Sequence, residues 1–249
     1  MNLVFWVCLD SFLFFLATPL LALTGDMGWK SAQFNRHIKM IKYWKRLINM
    51  DYNRLTKKVF LYDKSLCVQN WSSEIKYLCN NVDLNEDFNL IDINTEEFLN
   101  KTADKLKLGL SQKPKLRTYV KFKNTFTTEQ YTKHCNSTHK RSLLAQFRMG
   151  ILPIAIETGR FKGLTENERI CKFCPHQAVE NEQHFLCTCS LYTILRNSMY
   201  NNVCQRCIDF LNMNDGDKFY HRLTNEWRET ANFIDKAWCM RTQKLYLKQ

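Results

Sequence analysis

Four residues of metal-binding type lie within nineteen positions, and their spacing constrains the fold more than any other feature of the chain. Cys171-x-x-Cys174 is followed after nine residues by His184, and after four more by Cys189. Thiolates and imidazole are the ligands that tetrahedral zinc prefers, and a close Cys-x-x-Cys pair can direct two sulfurs at one ion. We predict a zinc knuckle in which these four residues bind one structural Zn²⁺. The alternative is a set of buried free thiols with one hydrogen-bonded histidine.

The chain between and after the ligand pairs carries further signals. The polar run 180–182 (Glu-Asn-Glu) predicts an exposed loop. His184 and Cys189 are five residues apart, or about 140° around a helix, so one straight helical face cannot present both. We therefore expect a break between them, with Ser190 as the N-cap of a helix that continues to Met199.

A family resemblance accompanies these residues. Residues 143–196 contain the motifs Phe147-Arg-Met-Gly150, Ile156-Glu-Thr-Gly-Arg160, Glu168-Arg-Ile-Cys171, Glu182-Gln-His-Phe-Leu186 and Cys189-Ser-Leu-Tyr192. This run resembles the zinc-binding segment that follows the polymerase domain in non-LTR (LINE-type) retrotransposon open reading frame 2 proteins. In those proteins another stretch lies between the polymerase domain and the zinc segment. Four segments of this chain resemble that stretch: Leu23-Thr-Gly-Asp-Met-Gly-Trp29, Tyr43-Trp44, Arg46-Leu47 and Trp71-Ser-Ser-Glu-Ile75. The resemblance covers the chain from about Thr18 to Tyr200.

The resemblance implies an accessory part of a retrotransposon reverse transcriptase. Its implied partners are RNA or single-stranded DNA, bound with low sequence specificity, and other retroelement proteins, in the nucleus or cytoplasm. Two departures from the family pattern concern the metal site. Ser190 stands where the family often has proline, and Cys187 adds a thiol that could compete as a ligand.

The polymerase chemistry of that family has no counterpart in this sequence. Two magnesium ions need paired aspartates in an aromatic-x-Asp-Asp turn, and no Asp-Asp dipeptide occurs in the 249 residues. Phosphate-loop, Gly-x-Ser-x-Gly and His-Glu-x-x-His motifs are also absent from the sequence. The acidic pair Glu96-Glu97 favours a solvated helix face over acid–base machinery. We expect a protein that is not an enzyme.

Composition favours a mainly α fold: a helical bundle-like region, then a small zinc knuckle and C-terminal helices. With 45% hydrophobic residues the chain can bury a core, and 7 Gly and 4 Pro leave little room for a turn-rich β architecture. Helices are predicted at 30–49, 52–66, 70–81, 95–108, 128–134 and 137–149, with Pro114 after the fourth. A short hairpin is predicted around Cys171–Cys174. A long C-terminal helix is predicted to carry the apolar stripe Trp227, Ala231, Ile234, Trp238 and Leu245.

These elements divide the sequence into segments. The predicted divisions are an apolar N-terminal stub 1–23, a basic helical region 24–82, an acidic linker 83–94, a helical basic region 95–160, a zinc-binding module 161–203 and a C-terminal helical region 204–249. The linker is set apart by its asparagines and acidic residues, which make a poor helix.

Positive charge is concentrated in two blocks. The net charge is +12. Residues 30–58 contain nine Lys/Arg and one acidic residue, and residues 105–148 contain eleven Lys/Arg and one acidic residue. Helical spacing places part of each block opposite an apolar stripe, where it could contact phosphate. The predicted nucleic-acid-binding residues are Arg36, Lys39, Lys42, Arg46, Lys140, Arg141 and Arg148. The alternative is that these cations only solvate amphipathic helices.

The N-terminus supports a different interpretation. Residues 1–23 are largely apolar and long enough to cross a bilayer or serve as a secretion signal. Asp10 near the centre and the absence of a basic flank before Lys30 argue against this. The alternative function is therefore a membrane-anchored or secreted protein. A chain with eleven cysteines and a Cys-Cys-His-Cys set favours a reducing compartment instead.

Two other hypotheses remain from the sequence. The zinc module could be a protein-interaction adaptor that uses the C-terminal apolar stripe. A second pair, Cys204-x-x-Cys207, could form another metal site with His221 and Cys187.

Overall fold

A computed structural model describes residues 20–29, 32–66, 68–81, 95–123, 125 and 127–246. This described part of the chain is mainly α-helical and contains no β-strand, as the composition predicts. It divides into two compact units. We call residues 29–109 the bundle unit, and residues 20–28 with 110–246 the knuckle unit.

The α-helices, in chain order, are α1 Leu20–Met27, α2 Ala32–Ile48, α3 Leu55–Ser65, α4 Trp71–Asn80, α5 Thr95–Ser111, α6 Tyr119–Phe122, α7 Gln130–His134, α8 Thr138–Arg148, α9 Ala155–Phe161, α10 Thr193–Cys204, α11 Asp215–Thr224 and α12 Trp227–Tyr246. Short 3₁₀ turns occupy Pro114–Leu116, Glu166–Glu168, Ser190–Tyr192 and Ile208–Asn212. A π-helical turn occupies His184–Thr188.

In the bundle unit, α2, α3 and α4 pack against one another around an aromatic core. The Trp44 ring lies 4.9 Å from Phe60 and 5.5 Å from Trp71, measured between centroids. The apolar residues of α2 recur every three or four positions, so one face is buried and its opposite face meets solvent.

Two polar contacts fix the helix ends of this unit. Lys57 is buried, and its Nζ donates to the carbonyls of Leu47 (2.9 Å) and Ile48 (2.6 Å) at the C-terminus of α2. A cation there satisfies carbonyls that lack helical partners and interacts favourably with the helix dipole. At the start of α4, Asn70 and Ser73 form a reciprocal capping box.

In the knuckle unit, α12 packs against α7, α8, α10 and α11. Aromatic side chains fill the interior: Phe185 lies 4.7 Å from Tyr192 and 5.7 Å from Phe147, and Phe233 lies within 6.3 Å of both Phe185 and Tyr192. Phe185 belongs to the π turn, so the segment that carries the metal-binding residues is part of the same core.

A buried ion pair attaches α1 to this unit. Arg148 Nε donates to Asp26 Oδ2 at 3.0 Å, and each side chain is 1% exposed. The hydroxyls of Tyr119 and Tyr131 donate to the same carboxylate at 2.9 and 2.6 Å. Burial acts to raise the pKa of Asp26, but the charge and hydrogen bond of Arg148, aided by Tyr131, outweigh it and hold the pKa below the usual 3.8.

This ion pair corrects one sequence prediction. Arg148 was predicted to face phosphate, and that prediction is wrong because its guanidinium is inside the core. It also bonds to Glu129 at 3.1 Å and lies over the Phe122 ring. The amphipathic pattern of α8 could not predict the contact between Arg148 and Asp26, because the two residues lie 122 positions apart in the sequence.

The six predicted helices are present with bounds that differ by at most three residues, and the long C-terminal helix is also observed. Residues 20–28, which contain α1, group with residues 110–246 and not with the bundle unit that follows them in the sequence. The stub 1–23 falls mostly, and the linker 83–94 wholly, outside the described residues. No described helix combines the length and apolarity needed to span a membrane.

We expect Arg148→Met to lower the free energy of unfolding by about 3–5 kcal/mol, because the buried Asp26 carboxylate then keeps only the more distant Lys123 ammonium, at 3.7 Å, as a cationic partner. The Asp26→Asn, Arg148→Met double variant should lose less than the sum of the two single variants. Urea unfolding of all four proteins tests this. Additive losses would show that the two side chains are not coupled.

Stability should also decrease in acid through Asp26. Because the pKa of this carboxyl is lowered by folding, its contribution is present above the unfolded value of 3.8 and is lost as the pH falls through the folded pKa. Urea midpoints measured from about pH 6 to about pH 2.5 should fall less steeply for Asp26→Asn than for the wild type. Parallel curves would contradict this assignment.

Candidate metal centre

A tight hairpin presents the first two thiols. The hairpin contains one antiparallel β-bridge, between Ile170 and Val179, and the described residues contain no other isolated bridge. The Cys171 N–H donates to the Ala178 carbonyl at 2.9 Å, which closes the loop that contains Cys174. The hairpin predicted around these two cysteines is therefore present.

The π turn His184–Thr188 presents the other two ligands. The Cys189 N–H donates to the His184 carbonyl at 2.8 Å, which is an i→i+5 bond. A π turn of this kind is uncommon and occurs frequently at functional sites. The wider π turn places His184 and Cys189 on one side despite their five-residue spacing. The backbone then leaves helical geometry at Cys189, where ψ is 123°.

The four side chains converge. Cys171, Cys174, His184 and Cys189 are all buried, and their ligand atoms lie within 4.8 Å of one another. The Cys171 and Cys189 sulfurs are 3.8 Å apart, and the Cys174 sulfur is 3.5 Å from His184 Nε2. A tetrahedral ion with zinc-like bond lengths has edges of about 3.8 Å between sulfurs and about 3.6 Å between sulfur and nitrogen. The site therefore has the donors, burial and spacing to hold a metal ion.

The thiols influence one another's protonation. The hydrogen bond between the Cys171 and Cys189 sulfurs, with burial adding to it, raises the pKa of Cys171 to about 12. The same bond lowers the pKa of Cys189, while burial raises the pKa of Cys174. The three sulfurs would all be thiolates only if a cation compensated their charge, which is what a bound metal provides.

Partners around the ligands orient the imidazole. The Thr188 hydroxyl lies 3.0 Å from His184 Nδ1, so Nε2 is the nitrogen that faces the sulfurs. The His184 N–H donates to Asn181 Oδ1 at 2.8 Å, which fixes the start of the π turn. Such outer partners hold a metal-binding histidine in one orientation and tautomer.

The run 180–182 is not the exposed loop that its polarity predicted. Glu180 is 1% and Glu182 2% exposed. Arg241 from α12 forms a two-pronged ion pair with Glu180, whose carboxylate also accepts the Ala155 N–H at 2.7 Å. These contacts attach the knuckle to α9 and α12.

Glu182 makes a second attachment. Arg117 donates to its carboxylate at 2.7 Å, and the Thr118 hydroxyl does so at 3.0 Å. Buried carboxylates of this kind require such partners. Sequence reasoning missed Arg117, Glu180, Glu182 and Arg241 because the residues of each pair lie at least 61 positions apart.

An arginine from α10 supports the far side of the knuckle. Arg196 donates to the carbonyls of Leu186 at 3.1 Å and Cys189 at 2.5 Å. The predicted N-cap Ser190 does not cap α10, which begins at Thr193 after a 3₁₀ turn and has no side-chain cap. The 3₁₀ turn takes the place of the cap because Cys189 has to leave the helix axis to face the metal site.

The other described cysteines do not join the four candidate ligands. Cys187 is buried but does not belong to the converging group, so it does not compete for the site. Within the described residues there is no second metal-binding group, so the site hypothesised from Cys204, Cys207, His221 and Cys187 is not formed.

The predicted nucleic-acid-binding residues have different environments. Arg36, Lys39, Lys42 and Arg46 are exposed on α2. Lys140 and Arg141 on α8 are only partly exposed: Lys140 donates to Asn232 Oδ1 at 2.7 Å, and Arg141 donates to the Cys135 carbonyl at 2.8 Å.

The C-terminal apolar stripe faces inward in part. Ala231 and Ile234 belong to the core of the knuckle unit, whereas Leu245 is 42% exposed. Phe233, Ala237 and Arg241 are buried as well and were not predicted. The central residues of the surface proposed for a protein-interaction adaptor are therefore buried and cannot contact a partner.

Comparison with protein-family models, curated proteins and solved structures gave no match.

We expect one metal ion per purified chain, and its loss from Cys174→Ser and His184→Ala. Chelation or either substitution should lower the melting temperature, because binding energy at a structural site is folding energy. Elemental analysis and thermal unfolding measure both. Cys187→Ser is the matched buried control and should keep its metal. A metal-free wild type, or metal retained by both ligand variants, would contradict the assignment.

Proposed function

We propose that this chain is a non-catalytic, zinc-stabilised protein that binds RNA or single-stranded DNA with low sequence specificity. We further propose that it acts as an accessory to the replication of a LINE-type retroelement. The motif resemblance set out above supports the second part, and no part of the proposal assigns a catalytic residue.

Zinc is the proposed ion because of the donor set. Three sulfurs and one imidazole nitrogen suit Zn²⁺, whereas magnesium and calcium prefer oxygen. With four protein ligands the site would be closed to substrate, which is typical of a structural ion. Its role would be to hold the hairpin and the π turn together, and with them the contacts of Arg117, Arg196 and Arg241.

The observation that carries the nucleic-acid proposal is the outer face of α2. Lys39, Lys42 and Arg46 are exposed there, and among the described residues none of the three side chains has an ion-pair or hydrogen-bond partner. Arg36 shares the face but donates to Glu74 at 2.8 Å. Cations without internal partners can neutralise phosphates and release counterions, which gives binding that does not depend on sequence.

The other basic candidates contribute less. Arg148 is inside the core, and Lys140 and Arg141 already donate to protein acceptors. We therefore assign the phosphate contacts chiefly to α2.

We expect the variant Lys39→Gln, Lys42→Gln, Arg46→Gln to bind a single-stranded RNA more weakly at about 50 mM salt. Removing three phosphate contacts should reduce the slope of log affinity against log salt by about 2. Fluorescence anisotropy with a labelled oligonucleotide at several salt concentrations measures both quantities.

The matched control removes the same charge elsewhere. Lys113, Lys133 and Lys236 are exposed, and their triple Gln variant lowers the net charge equally. If both triple variants lose affinity equally, attraction is a property of total charge and α2 is not the site. If the wild type shows no salt-sensitive binding, the nucleic-acid proposal is wrong.

A further inference from the structure

The basic face of α2 contains one aromatic residue. Tyr43 is 46% exposed. At about 100° per residue, Arg36, Lys39, Lys42, Tyr43 and Arg46 fall within an arc of about 120°, over about 15 Å of helix. The tyrosine therefore lies within the arc of the cations, on the side that borders the apolar face, about 40° from the buried Leu47.

Packing holds the Tyr43 ring in place. The ring meets Trp71 edge to face, with 5.8 Å between centroids and 65° between planes. Trp71 in turn contacts Trp44, whose ring lies against Phe60 in the core. A chain of four aromatic rings thus connects an exposed tyrosine to a rigid interior, so the ring loses little entropy when a ligand binds.

We propose that Tyr43 is a stacking platform for a base of single-stranded nucleic acid, with the surrounding cations of α2 contacting the phosphates on either side. The inference rests on the proposed function, and it adds a ligand class: unpaired nucleotides instead of duplex. In a duplex the base faces are already stacked, so an aromatic ring on a protein surface can reach them only in a single strand.

The combination of features supports this ligand over other anions. Cations alone would bind duplex and single strand through phosphate. An exposed, oriented aromatic ring between them adds an interaction that every base can make, because every base has a π face. The result is binding that favours single strands without selecting a sequence.

The experiment compares Tyr43→Leu, Tyr43→Phe and the control Tyr62→Leu in the full-length protein. Tyr62 is 66% exposed on α3 and is not among the α2 cations. The ligands are a uridine oligonucleotide, an RNA duplex of equal length and, in a sedimentation assay, vesicles of phosphatidylserine and phosphatidylcholine. Anisotropy gives the affinity, and 2-aminopurine placed within the uridine tract gives stacking directly, because its fluorescence is quenched by a stacked ring.

Tyr43→Leu should lose about fivefold to one-hundredfold in affinity for the single strand and should lose the quenching, with duplex affinity and salt dependence unchanged. Tyr43→Phe and Tyr62→Leu should behave as wild type. Circular dichroism confirms that each variant is folded.

The outcomes separate this inference from the proposed function. If the wild type binds RNA and the α2 charge variant weakens it, but Tyr43→Leu has no effect, the stacking inference alone is wrong. If the wild type binds no nucleic acid, both are wrong. Equal losses on duplex and single strand, or tight binding only to vesicles of phosphatidylserine and phosphatidylcholine, also overturn the inference; the second result would assign the face to a membrane surface.

Discussion

Buried carboxylates that must find positive partners determine how the knuckle unit is assembled. A carboxylate removed from water is costly unless a cation and hydrogen-bond donors meet it. Asp26, Glu180 and Glu182 each meet this requirement through an arginine from a distant part of the sequence. The first attaches α1 to α8, the second attaches the knuckle to α12, and the third attaches it to the segment before α6. The metal ligands converge within this frame.

Local patterns predicted the helices and the convergence of the four candidate ligands, because both depend on short-range chemistry. The spacing of apolar residues in α2 identifies its buried face, and the four ligands lie within nineteen residues. The shape of the turn between His184 and Cys189 was only partly predictable. A break was expected from the angular mismatch, but a π turn differs from an α turn by one residue of hydrogen-bond register, which composition does not specify.

Long-range polar pairing could not be predicted in the same way. The exposed loop expected at 180–182 and the phosphate contact expected of Arg148 both failed, because charged residues were assumed to be solvated. That assumption holds for most charges. It fails where a partner from elsewhere in the chain neutralises the side chain, and a single sequence contains no signal that pairs Arg148 with Asp26 or Arg241 with Glu180.

The π turn has a consequence for how this segment tolerates changes in length. Most surface turns absorb an added or deleted residue with little cost. Here the hydrogen bond from Cys189 to His184 fixes the number of residues between two ligands, and each residue contributes about 100° of helical rotation. Deleting one residue would leave a four-residue spacing, which an α turn presents on one face about 40° apart, whereas adding one residue would place the sulfur about 240° around the helix and away from the other three donors. Insertions in 185–188 should therefore be excluded wherever the metal site is retained, while the amino-acid types there are limited by packing and, at Thr188, by the contact of its hydroxyl with His184 Nδ1.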